Sequence, residues 1–483
     1  MTVMNANLYA SLSARFPNDP AAPCMIPPGG SVWTYGDVER ASGRMANLIV
    51  ALGLKPGDRV AAQVEKTPEA LVLYLAAIRA GMVFLPLNPA YQRHELEFFL
   101  GDAKPGLFVC RPQQRALADE LAAKAGVPNV LELDDTGRGS LIDAAAPLAD
   151  AFATAARTTA DLAAILYTSG TTGRSKGAML SHGNLAHNAM TLHAYWRFQP
   201  GDVLLHMLPI FHVHGLFVAC HCALLNGSAM FFEPKFDAAR ALQLLPHSTV
   251  FMGVPTYYVR LLLDPAFGRA TCRNIRLFVS GSAPLLKETF DEFRQHTGHT
   301  ILERYGMTEG GMFTSNPYDA AENGRRGGTV GFPLPGTALR IVGAGGTAAK
   351  PGVVGNIQVK GDNVFVGYWG MPEKTKEEFT ADGYFKTGDM GSLDADGYVT
   401  ISGRSKDLVI TGGLNVYPKE IEELIDAMPG VVESAVIGLP HPDFGEAVTA
   451  VVVRQKNAEG RALTESGIIG SIKDRLANFK VPK

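Results

Sequence analysis

This 483-residue chain has no surplus of positive charge: 44 lysines and arginines stand against 47 acidic residues, for a net charge of −3. No Lys/Arg block or basic tail occurs, which excludes the electrostatic footprint of a nucleic-acid-binding surface. Cysteine is scarce. The five present (Cys24, Cys110, Cys220, Cys222 and Cys272) are scattered and odd in number. That pattern excludes a disulfide framework and implies reduced thiols, hence a cytoplasmic protein. Cys220 and Cys222 lack the spacing of a zinc pair. Long apolar runs are missing too. The longest, Ala70 to Leu87, is broken by Arg79 and Gly81, so it reads as a core helix running into a strand rather than a membrane span. Polar and acidic residues occupy the place where a signal peptide would carry its apolar region. There are no internal repeats, no low-complexity tract, and no signal for an oligomeric state.

The length exceeds one ordinary core, so two or more domains are expected. Helical periodicity alternates with short β-branched runs through the first 330 residues, the pattern of layered α/β structure. From about Thr329 glycine and proline separate short strands, such as Ala338 to Val342 and Gly355 to Val359, which predicts a small β-rich element. Val342 to Gly346 looks superficially like a dinucleotide fingerprint, but no suitable helix follows, and a hairpin turn fits better. Ile401 to Lys406 marks a boundary. Beyond it the pattern predicts a compact α+β unit: a strand (Leu408 to Ile410), a helix (Lys419 to Met428), two strands (Val432 to Gly438 and Ala447 to Arg454) and a helix (Thr464 to Leu476).

The most informative segment is Thr168-Ser169-Gly170-Thr171-Thr172-Gly173-Arg174-Ser175-Lys176-Gly177. A short apolar run, Ala163 to Tyr167, precedes it and predicts a buried strand. Glycines let backbone N–H groups close around an anion, hydroxyls add donors, and a lysine adds a point charge. The segment does not fit the Walker pattern, which requires Gly-Lys-Ser/Thr. By composition alone it is either a polyphosphate grip or a flexible surface loop.

Further motifs follow in order: Ser280-Gly281-Ser282-Ala283-Pro284, Glu303-Arg304-Tyr305-Gly306-Met307-Thr308-Glu309, Tyr384 to Asp389, Gly403 to Asp407, and Gly412 to Pro418 with Glu420. Together these resemble the adenylate-forming superfamily of acyl-CoA synthetases, luciferases and peptide-synthetase adenylation domains, over nearly the whole chain. The resemblance implies ATP and CoA as substrates, with Mg²⁺. It implies a large N-terminal domain (1–403, β-rich from about 329), a hinge (404–406, with Lys406 as pivot) and a mobile C-terminal lid (407–483). It also implies that Thr168 to Gly173 with Lys176 hold the β- and γ-phosphates, and that Gly281, Ser282, Ala283 and Glu303 to Met307 surround the adenine, with Tyr305 as its stacking face. Thr308 meets the α-phosphate, Glu309 and Thr172 hold Mg²⁺, Asp389 and Arg404 bind the ribose, and Gly412, Gly413 and Leu414 line a pantetheine tunnel.

For the acid, the stretch His206 to His214 (with His212 and, further on, His221) invites a metal reading, but no Cys or carboxylate ligand joins it. The resemblance instead places an aromatic gate at Phe211-His212. Relatives that take apolar acids commonly carry Gly where this chain has Arg304. A guanidinium there suits a second carboxylate, and left unpaired it would cost several kcal/mol. Its partner is therefore either an acid such as Glu303 or the substrate. With Arg260, Ser282 and His206 it describes a pocket for a small dicarboxylic acid, the pattern of malonyl-CoA synthetases. Methylmalonate or another short acid remains an alternative, since a methyl group changes binding by only ~1–3 kcal/mol. A module that loads a carrier protein is a second alternative, and a regulator with a degenerate site a third. The family's adenylation lysine follows a segment like Asn478 to Lys483, so the natural chain is expected to continue beyond it.

Overall fold

The computed structural model describes residues 5–168, 175–319, 324–343, 345–411, 414–441, 445–473, 475–476 and 478–482. Two large sheets form its body. In the seven-stranded one, Gly367–Tyr368, Lys176–Ser181, Leu162–Thr168, Val83–Pro86, Arg59–Gln63, Leu107–Cys110 and Asn129–Glu132 lie side by side. The last five are mutually parallel, while Lys176–Ser181 runs antiparallel to Leu162–Thr168. Leu107–Cys110 is buried at every position, as a parallel strand covered on both faces must be.

The broken apolar stretch resolves as its interruptions imply. Helix Pro68–Arg79 is capped by the Thr67 hydroxyl, which accepts from the Ala70 N–H, and carries Pro68 at its first position. It ends before Gly81, whose φ of +77° turns the chain into strand Val83–Pro86. Arg79 is buried and donates to Glu39 Oε1 at 2.6 Å. Among the described residues no helix is long and apolar enough to cross a membrane. All five cysteines are free and buried.

The nine-stranded sheet has the order Phe332–Pro333, Gly311–Ser315, Leu302–Met307, Leu277–Ser280, Val250–Gly253, Val203–His206, Ala229–Phe232, Pro23–Ile26 and Trp33–Thr34. Six consecutive strands, from Leu302–Met307 to Pro23–Ile26, are parallel. Their carboxyl ends therefore share one edge, where open α/β sheets bind ligands. A separate four-stranded antiparallel sheet comprises Thr337–Val342, Gly355–Gly361, Phe385–Leu393 and Val399–Arg404. Gly343 and Gly346 form the turn after its first strand, through Gly346 N–H to Gly343 C=O, so a turn stands where the glycine-rich stretch looked like a nucleotide fingerprint.

Beyond Asp407 a small α+β unit follows. Its sheet has the order Leu414–Val416, Val409–Thr411, Gly445–Arg454 and Val431–His441, with helix Pro418–Asp426 packed on it. Ile421 and Ile425 of that helix join Val409, Val416, Val436 and Val448 in its own core. The two long strands extend past their sequence-predicted ends because they pair from Val431 opposite Arg454 to His441 opposite Gly445, with one register shift between Val431 and Glu433. The final helix is shorter than its apolar pattern suggests, Glu465–Lys473, and a helix Ala458–Ala462 precedes it.

Candidate active site

Where the two large sheets meet the β-rich sheet and the turn before the small unit, a cavity of about 630 Å³ opens. On its phosphate side, strands Leu162–Thr168 and Lys176–Ser181 flank the glycine-rich segment and place Thr168 opposite Lys176 in register. Lys176 is 7% exposed. Its ammonium lies 3.5 Å from Glu378 Oε1 and 4.3 Å from the Tyr368 ring centroid. Glu309 is also buried; its Oε1 accepts from the Tyr368 hydroxyl at 2.9 Å and lies 3.4 Å from the Thr168 hydroxyl. Burial raises the Glu309 pKa, while the Tyr368 hydrogen bond and the Lys176 charge oppose the rise. Thr308 and Gly306 line the same wall. Ser169, Gly170, Thr171, Thr172 and Gly173 lie outside the described residues.

Tyr305, Asp389 and Arg404 meet on the side where the sequence reading expects the nucleoside. Asp389 and Arg404 pair across adjacent strands, which brings Arg404 Nε to 3.1 Å from Asp389 Oδ1. The Tyr305 hydroxyl donates to the other carboxylate oxygen at 2.5 Å. Burial raises Asp389, and both partners pull it back toward the ionised form. Arg404 lines the cavity with Gly388; Tyr305 and Asp389 stand just outside its lining. Lys406 lines it too, from the one-turn helix Ser405–Asp407.

Arg304 occupies the acid side and is 3% exposed. Neither its Nε nor its Nη2 finds a partner among the described residues. Burial pulls its guanidinium down to about 9, with Tyr258 and Glu303 opposing the fall. Glu303 does not neutralise it: its Oε1 accepts from the Leu285 N–H at 3.2 Å, its other oxygen is unpartnered, and burial pushes it up to about 8. Gly281 lies under the guanidinium; a Cβ there would sit 2.4 Å from Arg304 Cζ. Ser282 adopts φ +71°, rare for a residue with a side chain, and its hydroxyl lies 3.3 Å from His214 Nδ1. His214 is buried, lines the cavity, and leaves Nε2 unpartnered. Phe211, His212 and Val213 complete this end.

Besides Tyr305 and Asp389, several further sequence-predicted contacts fall outside the lining. His206 sits in a buried layer with Lys66, its ring nitrogens 2.7 Å from Lys66 Nζ and 2.9 Å from the Gly215 carbonyl. Arg260 is exposed, because Tyr258 and Leu261 turn the other face of helix Pro255–Leu262 into the core. Glu303, Gly281 and Ala283 are likewise absent from the cavity wall. Gly412 and Gly413 lie outside the described residues, and Leu414 begins strand Leu414–Val416.

A model of the AMP-binding enzyme family matches residues 11–369, and a model of the AMP-binding enzyme C-terminal domain matches residues 420–483. The chain belongs to the AMP-binding enzyme family. Mitochondrial malonate–CoA ligase of Bos taurus is 36% identical over 93% of this chain and 82% of its own length. Feruloyl-CoA synthase of an Amycolatopsis species is 34% identical over 94% and 90%. Among solved structures, ATP-bound MatB from Rhodopseudomonas palustris is 56% identical, covers 99% of this chain and 94% of its own, and superposes with a TM-score of 0.96. Apo MatB, at the same identity and coverage, superposes with a TM-score of 0.88.

Three residues lining the cavity were not among the sequence-predicted contacts. Tyr368 and Glu378 reach the phosphate side from a two-residue strand and a short helix, too brief for periodicity to mark them. His214 was visible within the histidine-rich stretch, but nothing in the spacing singled it out over His206. That choice is made by the π-helix His214–Cys220, a form with no plain sequence signature.

Proposed function

We propose that this AMP-binding enzyme is a malonate–CoA ligase, converting malonate, ATP and CoA to malonyl-CoA, AMP and diphosphate through malonyl-AMP. The unpaired, buried Arg304 guanidinium carries the choice of acid. One malonate carboxylate would meet it as a charge-assisted pair, with His214 Nε2 and the Ser282 hydroxyl as further partners. An uncharged acyl chain such as ferulate's would leave that charge buried and unsatisfied.

The other carboxylate is then free to attack the ATP α-phosphorus: a carboxylate-oxygen-to-phosphorus bond forms as the bond to the leaving diphosphate breaks. Lys176 and Thr168 receive the diphosphate, Thr308 contacts the α-phosphate, Tyr305 stacks on the adenine, and Asp389 with Arg404 holds the ribose. Glu309 suits Mg²⁺, since it is a buried carboxylate on the phosphate side and Mg²⁺ favours one or two carboxylates plus phosphate oxygens. The ion would supply neutralising charge there. In the second half-reaction the CoA sulfur attacks the anhydride carbonyl and AMP departs. The small domain (407–483) turns about Lys406 to bring Gly412, Gly413 and Leu414 to the pantetheine arm. Five free, buried thiols fit a reducing cytoplasm.

Pyrophosphate release with malonate, methylmalonate, succinate, acetate and benzoate tests this reading. Malonate is expected to lead, and Arg304→Ala to lower its kcat/KM about 100-fold while sparing acetate. Acetate or benzoate outpacing malonate would overturn the assignment.

A further inference from the structure

Lys66 is a buried cation that none of the chemistry above uses. It precedes Thr67, the cap of helix Pro68–Arg79, so its backbone is fixed on the seven-stranded sheet's side. Its side chain crosses to the other large sheet. There Nζ donates to the His206 carbonyl at 2.8 Å, lies 2.7 Å from His206 Nδ1, and sits 4.5 Å from the Phe232 ring centroid.

An ammonium has three donors and no acceptor. The Gly215 carbonyl beside Nε2 can only accept, so Nε2 carries the ring proton and Nδ1 accepts from Lys66. That N–H faces the Gly215 carbonyl at 2.9 Å, with the Cys220 sulfur 3.2 Å away. Burial, reinforced by Lys66, holds the His206 pKa well below its usual value, so the ring stays neutral. Burial also pulls Lys66 down to about 7, with Cys220 and Glu233 opposing.

Gly215 belongs to the first turn of the π-helix, next to His214. It is wedged so tightly that a Cβ would lie 2.0 Å from the Pro209 carbonyl oxygen. The position of His214 is thus tied to the carbonyl that His206 grips.

We infer that Lys66 is a positioning residue for the acid pocket: by donating to His206 Nδ1 it anchors Gly215 through the ring, and so holds His214 beside Arg304. This rests on the acid-binding reading of Arg304 and His214.

The test is steady-state kinetics on Lys66→Met, Lys66→Gln, His214→Ala and the Lys66→Met/His214→Ala double variant. Lys66→Met is expected to raise the malonate KM about tenfold and leave the ATP KM within about twofold. Lys66→Gln, whose amide can still donate to Nδ1, should recover most of the loss. The double variant should match His214→Ala alone, because both changes act through one group. Additive effects, an equal rise in both KM values, or a lowered melting temperature with an unchanged malonate KM would overturn the inference. Should Lys66→Met not fold, His206→Asn carries the same test: it can still face Lys66 but loses the nitrogen that reaches Gly215. A wild-type enzyme that ignores malonate defeats the functional reading instead, and the KM comparison is then made with its preferred acid.

Discussion

Arg304 and Glu303 are neighbours in sequence, both buried, and they do not neutralise one another. Strand alternation sends them to opposite faces, and the burial penalty outweighs the partial relief each charge gives the other. For Arg304 a bound carboxylate relieves it. For Glu303 the relief is a proton. Its carboxyl is pushed from the usual 4.5 up to about 8, so between those values the folded chain holds a proton that the unfolded chain has released. The corresponding stability is fully present below about pH 4.5 and is lost as pH rises through about 8. Glu303→Gln keeps an oxygen for the Leu285 N–H and removes the titration. Its melting temperature is expected to match the wild type near about pH 5 and exceed it near about pH 9, by the equivalent of a few kcal/mol at most. An unchanged pH slope in thermal unfolding would show that the carboxyl is compensated elsewhere. At this scale the broken motif drew attention to Arg304, which the structure buries with two unpartnered nitrogens. The sequence misled where burial depended on tertiary placement, as at His206 and Arg260.

The acid side of the site is shaped by a turn and a helix rather than by side chains alone. The turn after strand Leu277–Ser280 succeeds because Gly281 has no Cβ to displace the guanidinium lying over it. Gly281→Ala is expected to push Arg304 off its position and reproduce the Arg304→Ala loss of malonate use, about 100-fold in kcat/KM. Circular dichroism and gel filtration should remain those of the wild type. A variant with normal malonate kinetics would mean that the arginine repacks freely. The strand before the glycine-rich segment was readable from its apolar run, and so was a core helix leading into a strand within Ala70 to Leu87. The π-helix was not, since its residues are buried all round and leave no polar face to reveal a period.

For the whole molecule, the higher superposition score with ATP-bound than with apo MatB places the described arrangement nearer the nucleotide-bound one. Lys406, at the cavity's edge in the turn between the β-rich sheet and the small unit, is the proposed pivot. Lys406→Pro fixes φ there. It is expected to leave malonate-dependent pyrophosphate release within about threefold of wild type while lowering malonyl-CoA formation at least about 100-fold. Equal loss of both half-reactions would remove Lys406 from that role. The broad layering and the existence of a small terminal unit were legible from periodicity. The meeting of three sheets at one cavity was not, because that depends on contacts far apart in the chain.

That meeting divides the labour of the site. Thr168, Lys176 and Tyr368 come from the seven-stranded sheet, whereas Arg304, Ser282 and His214 gather around the other large sheet. Descent can therefore rewrite one half while the other stays under selection unchanged. The chain is 36% identical to a ligase named for malonate and 34% identical to one named for ferulate, although those acids differ in charge and bulk. Overall identity therefore does not by itself name the acid. If Arg304, Ser282 and His214 set the acid as proposed, a change of substrate would touch few side chains and leave a percentage identity almost unmoved.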